Sequence, residues 1–343
     1  MKVSDRLTEI AETVMNKVIK ISWNHTVQKY GVPSGISVNS EYIPPSSYLN
    51  NDPSDSKDIS PSLATSYSAG SSSQFFSPGF AAIAYGKLGG IELGYKSDLD
   101  MVFIYSGSDG YTEGGPRSIE NIRFYTFLGQ RIINALTLST QAGKLYDADM
   151  RLRPNGQSGM IVSHIDAFND YIQNEAWTWE HQAIIRARPI GGDSALQQMF
   201  NVIRAKILQI KREPEALKKE VRDMRERMRK EHLKCEPHLF DLKHGRGGIV
   251  DIEFLVQYLV LQHAHNHPAL THWTDNVRLL ETLANENILT SKEAQQLKSV
   301  YLKMRQIFHH LNLQEREKIV SMKTLKNESE SIAAIFDRFF YLD

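Results

Sequence analysis

The sequence is short of three things. Cysteine occurs once in 343 residues, at Cys235, which excludes an internal disulfide and a thiolate metal cluster and fits a reducing compartment. That thiol sits in a polar stretch, His232–Pro237, with no motif around it, and reads as a residue without a chemical role. Charge of one sign is also missing: 40 Lys+Arg balance 40 Asp+Glu, whereas a protein that coats nucleic acid carries an excess of basic residues. Long apolar runs are the third absence. The longest, around Gly79–Tyr85, falls far short of the roughly 20 residues that span a bilayer, and Met1–Glu12 is charged from its start, unlike a secretory signal. The expectation is a cytoplasmic, soluble chain with no nucleic-acid partner and no membrane partner.

With 41% hydrophobic residues there is material for a large core, and the length suggests two domains. Leu7, Ile10, Val14, Val18 and Ile21 recur at helical spacing, so residues 1–30 are expected to hold an N-terminal helix that ends near Trp23 and packs on a neighbour. Residues 31–78 read as a flexible linker or surface loop: prolines interrupt the pattern, and twelve of the 32 residues from Ser46 to Ser77 are serine. Residues 79–195 carry two strand-like stretches around a turn, Ala81–Tyr85 and Asp98–Tyr105, then a helical pattern over Ile119–Thr140 and a second alternating stretch over Leu145–Arg153. Residues 196–343 read as an all-α bundle built from Phe200–Lys211, Glu215–His232, Ile249–His263, Asp275–Glu286 and Ser291–Leu313. The fold class is therefore α+β, a mixed sheet with helices followed by a helical bundle.

One stretch concentrates the chemistry. Gly86-Lys87-Leu88-Gly89-Gly90 is followed by Ser97-Asp98-Leu99-Asp100. On a strand, residues i and i+2 share a face, so Asp98 and Asp100 present two carboxylates together. Leu99, Met101 and Phe103 line one face and Val102 and Ile104 the other, marking a strand buried on both sides. Paired carboxylates there are costly unless a cation neutralises them. Two divalent ions are the usual arrangement where phosphate oxygens are clamped, and hard oxygen ligands suit magnesium.

In the second alternating stretch the odd positions Asp147, Asp149, Arg151 and Arg153 would share one face. An acid among arginines suits a site for both metal and triphosphate. Gly89 and Gly90 let a backbone come close to phosphate. Taken singly, these features are a solvated turn, a turn signal and a surface ion-pair ladder; taken together they point to nucleotidyl transfer.

Four runs then carry a family resemblance: AYGKLGGIELGYKSDLDMVFIY at Ala84–Tyr105, DADMRLRPNGQSGMIVS at Asp147–Ser163, EAWTWEHQAIIRARPIGGD at Glu175–Asp193 and DLKHGRGGIVDIEFLVQYLVL at Asp241–Leu261. They resemble the glutamine synthetase adenylyltransferase family, a bifunctional adenylyltransferase/adenylyl-removing family of DNA polymerase beta-like nucleotidyltransferases. The wording at Ser97–Asp100, Ala176–Ala183 and Gly247–Phe254 is similar to the C-terminal, adenylylating half. The resemblance implies a metal-binding acid pair at Asp98 and Asp100, a third acid at Asp149 and the family's glycine turn at Gly89 and Gly90. Lys87 and Ser97 are expected to serve nucleotide binding beside them, and Arg151 and Arg153, from their shared face with Asp149, to be phosphate or structural partners. Lys243 precedes a Gly-Arg-Gly-Gly turn that is either an anion site at a helix start or a plain helix cap.

What the resemblance implies for function is transfer of AMP from ATP to a tyrosine of glutamine synthetase with two Mg²⁺ ions, pyrophosphate leaving. A PII-type nitrogen-signalling protein is the implied regulator, acting through further parts of the family's full enzyme. Rival readings are phosphorolytic adenylyl removal, adenylylation of another protein, a silent regulatory half and a nucleic-acid-tailing enzyme. Trp177 and Trp179 are read as core packing, Glu180 and His181 as supports of the site, and the Arg222-Arg225-Arg229 row as a solvated helix face.

Overall fold

The computed structural model describes residues 2–35, 79–141, 143–233, 236 and 238–342; Cys235 and residues 36–78 of the Ser/Pro-rich segment lie outside the described residues. The chain opens with helix α1 (Lys2–Tyr30) and strand β1 (Gly31–Pro33), followed by β2 (Phe80–Ala84), a single turn of helix α2 (Gly86–Gly89), β3 (Leu99–Tyr105), β4 (Thr112–Gly114), α3 (Asn121–Thr137), β5 (Ala148–Asp149) and β6 (Val162–His164). Then come α4 (Ile165–Asn174), α5 (Thr178–Ile185), β7 (Arg188–Gly192), α6 (Ser194–Leu208) and α7 (Pro214–His232). The remainder is β8 (Leu239–Asp241), α8 (Ile249–His263), α9 (Asn276–Asn285), α10 (Ser291–Leu313), β9 (Ile319–Ser321) and α11 (Met322–Phe340).

The main sheet is mixed. β2 runs antiparallel to both β3 and β7, while β5 and β6 pair in parallel with β3. Alternation along β3 works as expected from its residues: Leu99, Met101 and Phe103 join a core with α1 and α3, and Val102 and Ile104 join a second core with the helices of the C-terminal half. Each of these side chains is fully buried and contributes about 2 kcal/mol. That anchoring holds the polar start of the strand in place. The second core runs without interruption from Ala81 and Ile83 through Phe200 and Leu255 to Phe340.

Several expectations need correction. The first helix continues past Trp23 to Tyr30; of the expected stripe Val18 is buried and Leu7 and Val14 are partly so, Ile10 and Ile21 are exposed, and Ala11, Met15, Ile19, Trp23 and Val27 are buried beside them. Small hydroxyl residues extend that stripe: Thr8 and Thr26 donate to the carbonyls of Ser4 and Ser22, which lets them be buried. A count of apolar letters alone misses them. Gly31–Pro33, assigned to the linker, is a strand paired with β4.

The stretch Leu145–Arg153 is not one strand; pairing stops at Asp149 and the chain turns. Helices α4, α5 and α11 had not been anticipated, and the C-terminal half is not all-α, because β8 and β9 form a two-stranded sheet. By contrast α8 and α10 lie at the expected positions; α10 is fixed at its start by a Thr290–Glu293 capping box. Among the described residues no helix is long and apolar enough to cross a membrane.

Candidate active site

The site forms where β3 meets β5. Parallel register places Leu99 beside Ala148 and Asp100 beside Asp149, so two carboxylates 49 positions apart in sequence become lateral neighbours. Asp98 stands exposed just before the strand. Burial, then the charges of Asp149 and Asp98, push the Asp100 carboxyl up to about 6 against the opposing pull of Lys87 and Arg186.

Gly86 lies against this carboxylate. Its φ is +53°, and a Cβ there would fall 2.3 Å from Asp100 Oδ2. Glycine is therefore required twice over at this position, by conformation and by space.

Asp149 is engaged by its own loop. Arg151 Nε donates to both carboxylate oxygens, at 3.0 and 2.8 Å, its Nη2 also contacts Oδ2, and the Arg151 backbone N–H donates to Oδ1 at 2.9 Å. These bonds, the side-chain ones first, hold Asp149 below the usual carboxylate range. Arg153 is different. Its guanidinium donates to the carbonyls of Met150, Gln157 and Gly159 and so braces the 150–159 loop. The expected shared face of Asp149, Arg151 and Arg153 is absent because the strand ends before the arginines.

The other expected residues fall as follows. Ser97 closes a turn, its Oγ accepting from Gly94 N at 3.1 Å. Gly89 and Gly90 pack on Arg186: a Cβ on the first would meet its carbonyl at 1.9 Å, and on the second its guanidinium at 2.6 Å. The Gly89 carbonyl also accepts from Arg188 Nε at 3.0 Å and Thr274 Oγ1 at 2.8 Å. Lys87 and Lys243, 156 positions apart, come within electrostatic reach of one another; burial first and Lys243 second lower the Lys87 ammonium. Among the described residues no carboxylate lies within ion-pair distance of Lys87 or Lys243. The Lys87 ammonium sits 5.5 Å from the Phe308 ring centre, with Lys318 at 5.7 Å from the same ring.

Sequence reasoning missed a buried network behind the glycine turn. Arg186 pairs with Glu92 and with Glu253, the latter at 2.8 Å. Tyr301 donates to Glu92 at 2.7 Å, and Arg305 joins the same carboxylate at 2.7 Å. Despite burial, Arg186 and Arg305 hold the Glu92 carboxyl below its ordinary value. No local spacing advertises this group, since its five members come from four separate segments.

The Arg222-Arg225-Arg229 row is also corrected: Arg225 is 0% exposed and donates to Asp251 Oδ1 at 2.6 Å, and Arg229 bonds both oxygens of Asp251. Asp251 in turn accepts from Gly247 N, and Arg225 donates to the His244 carbonyl, so the pair clamps the loop that carries Lys243. Trp177 and Trp179 are 72% and 38% exposed, not core. Glu180 accepts from the Trp177 N–H and the Tyr171 hydroxyl and caps α5, while His181 Nε2 lies 2.7 Å from the Ile172 carbonyl.

Asp98, Asp100 and Asp149 offer the oxygen ligands a hard divalent cation takes, and the raised Asp100 carboxyl records burial first and neighbouring negative charge second, both of which a cation would offset. They fit in chemistry. Among the described residues, however, no three ligating side chains already stand as a group, and Asp149 is held by Arg151 instead.

The family model for glutamate-ammonia ligase adenylyltransferase matches residues 64–203, and that for GlnD PII-uridylyltransferase matches residues 215–337. A bifunctional glutamine synthetase adenylyltransferase/adenylyl-removing enzyme from Shewanella frigidimarina (strain NCIMB 400) is 41% identical over 337 residues, covering 98% of this chain and 32% of the relative. The chain thus spans about a third of the length of that curated relative.

Proposed function

We propose that the chain belongs to the glutamine synthetase adenylyltransferase family, which its matches support, and that it transfers AMP from ATP to a tyrosine hydroxyl of glutamine synthetase in the cytoplasm, releasing pyrophosphate. The observation that carries this reading is the register that sets Asp100 beside Asp149, with Asp98 at the strand's mouth. We read residues 79–195 as a DNA polymerase beta-like nucleotidyltransferase domain and residues 196–343 as a helical domain that supplies the opposite wall.

Asp98, Asp100 and Asp149 would hold two Mg²⁺ ions, which when bound supply charge neutralisation and Lewis acidity at the phosphates. Lys87 and Lys243 bind the triphosphate as two cations with no carboxylate of their own. Gly86 keeps the space beside Asp100 open. Asp149, held ionised, serves as a ligand and not as a proton acceptor. The tyrosine oxygen bonds to the α-phosphorus, the bond from that phosphorus to the β-bridging oxygen breaks, its electron pair leaves with pyrophosphate, and the phenolic proton passes to solvent. Positioning and electrostatics then account for most of the rate.

The test is incubation of the chain with glutamine synthetase, Mg²⁺ and ATP labelled at the α-phosphate. Label on the synthetase with wild type, and none with Asp98→Asn or Asp100→Asn, is expected; equal labelling by both variants would overturn the metal assignment. The relative's printed name carries two activities, and the chain spans about a third of it, so phosphorolytic removal is the second reading. Release of labelled ADP from adenylylated synthetase in phosphate would favour it. Control by a PII-type protein would then act through segments beyond this chain.

A further inference from the structure

Among the described residues, the carboxylate of Asp149 is the one member of the acid group with a cation paired to it. Arg151 covers both of its oxygens from two positions along the same chain, and its guanidinium also feels the fields of Asp100 and Asp98. The side chain is 69% exposed and, among the described residues, has no partner other than Asp149. The guanidinium end is open to solvent while the Asp149 side chain is 17% exposed, and solvent screening at the open end weakens the pair. The pair orders Asp149 through its own loop and, being screened, can be displaced.

We propose that Arg151 is a positioning residue that stands in for the divalent cation at Asp149 and exchanges partners when metal nucleotide arrives, Asp149 passing to the metal and the guanidinium to a phosphate oxygen. This rests on the metal-dependent reading above. Two signs follow that no purely structural arginine gives. The planar fork matches phosphate as well as carboxylate, so its removal weakens nucleotide binding. At the same time, the metal no longer competes with an internal cation, so its removal tightens metal binding in the absence of nucleotide.

The experiment uses Mn²⁺ alone, with free ion counted by electron paramagnetic resonance, on the full chain. Arg151→Gln is expected to lower the Mn²⁺ dissociation constant about 3- to 10-fold and to raise that for ATP, measured separately by calorimetry, about tenfold. Lys144→Gln removes a neighbouring cation that pairs with Asp147 and not Asp149; it is expected to leave Mn²⁺ binding within twofold. An unchanged Mn²⁺ constant in Arg151→Gln, with wild type binding the ion and Asp100→Asn not, overturns the stand-in role and leaves the metal site intact. Equal tightening in both Gln variants reduces the effect to general electrostatics and also overturns it. Binding of Mn²⁺ by none of the proteins removes the metal reading and this inference together.

Discussion

Gly86 and Asp100 are packed so that a methyl group on the first would lie 2.3 Å from Oδ2 of the second. The contact joins a left-handed glycine at the start of α2 to a carboxylate on β3. Gly86→Ala is expected to force the carboxylate aside and to add the strain of a left-handed alanine, about 1 kcal/mol. A displaced reacting group costs on the order of 100-fold in rate. Initial rates of AMP transfer beside thermal melts would check this; a variant with wild-type rate would show that Asp100 does not need its present place.

Lys87 is a cation kept largely from water with, among the described residues, no carboxylate within ion-pair distance, so it costs stability. Lys87→Met is expected to raise Tm by about 1–3 °C while weakening ATP about tenfold or more. Calorimetric titration and melting curves on one preparation would read both signs. A fall in both would place Lys87 in the packing alone.

Arg186 pairs with buried Glu92 and partly buried Glu253. Arg186→Met takes that cation from Glu253 and leaves Glu92 with Arg305, and removing one partner of a buried pair typically costs about 3–5 kcal/mol. Adding Glu92→Gln should recover part of that loss. Urea unfolding of the single and double variants forms the needed cycle; strictly additive losses would deny the coupling.

His309 lies on α10 with Nε2 3.2 Å from Ser4 Oγ, and burial first, then Arg305, lowers its imidazole to about 4. The folded state thus resists protonation that the unfolded chain accepts near pH 6.5. Between about pH 6.5 and 4 the unfolded state holds the extra proton, so this contribution to stability is complete above that window and is lost as pH falls through it. His309→Gln should flatten the slope of Tm against pH there; an unaltered slope would assign acid sensitivity elsewhere, with His244, also lowered to about 4, the next group to replace.

Local regularities were legible in the sequence. Alternation along β3 sorted Leu99, Met101 and Phe103 from Val102 and Ile104 correctly, because a strand between two cores leaves its period in the letters. The bounds of α8 and α10 were legible for a related reason, since glycine before one and a capping threonine before the other mark where helix begins. The acid pair at Asp98 and Asp100 stood out by spacing alone. What stayed hidden was pairing across distance. Arg225 reads as one more charge on a polar helix until Asp251 is seen beside it, and the choice between a phosphate and a structural role for Arg153 stays open until its three carbonyl partners are in view. Trp177 erred the other way, since aromatic character suggested burial at a position that the α5 cap leaves in water.

The unbroken core from the sheet into the helices bears on how the chain can be cut. Ala81, Ile83, Val102 and Ile104 share one core with Ile165, Phe168 and Ile184 and with side chains from Leu196 onward. A fragment ending near residue 195 would keep the acids of β3 and β5 yet lose the later part of that cover, baring apolar surface and inviting self-association. The acid-bearing strands and the helical half thus make one unit of manufacture: heating should melt them in a single step, and a bench effort to obtain the smaller piece alone should yield aggregate unless a substitute cover is supplied.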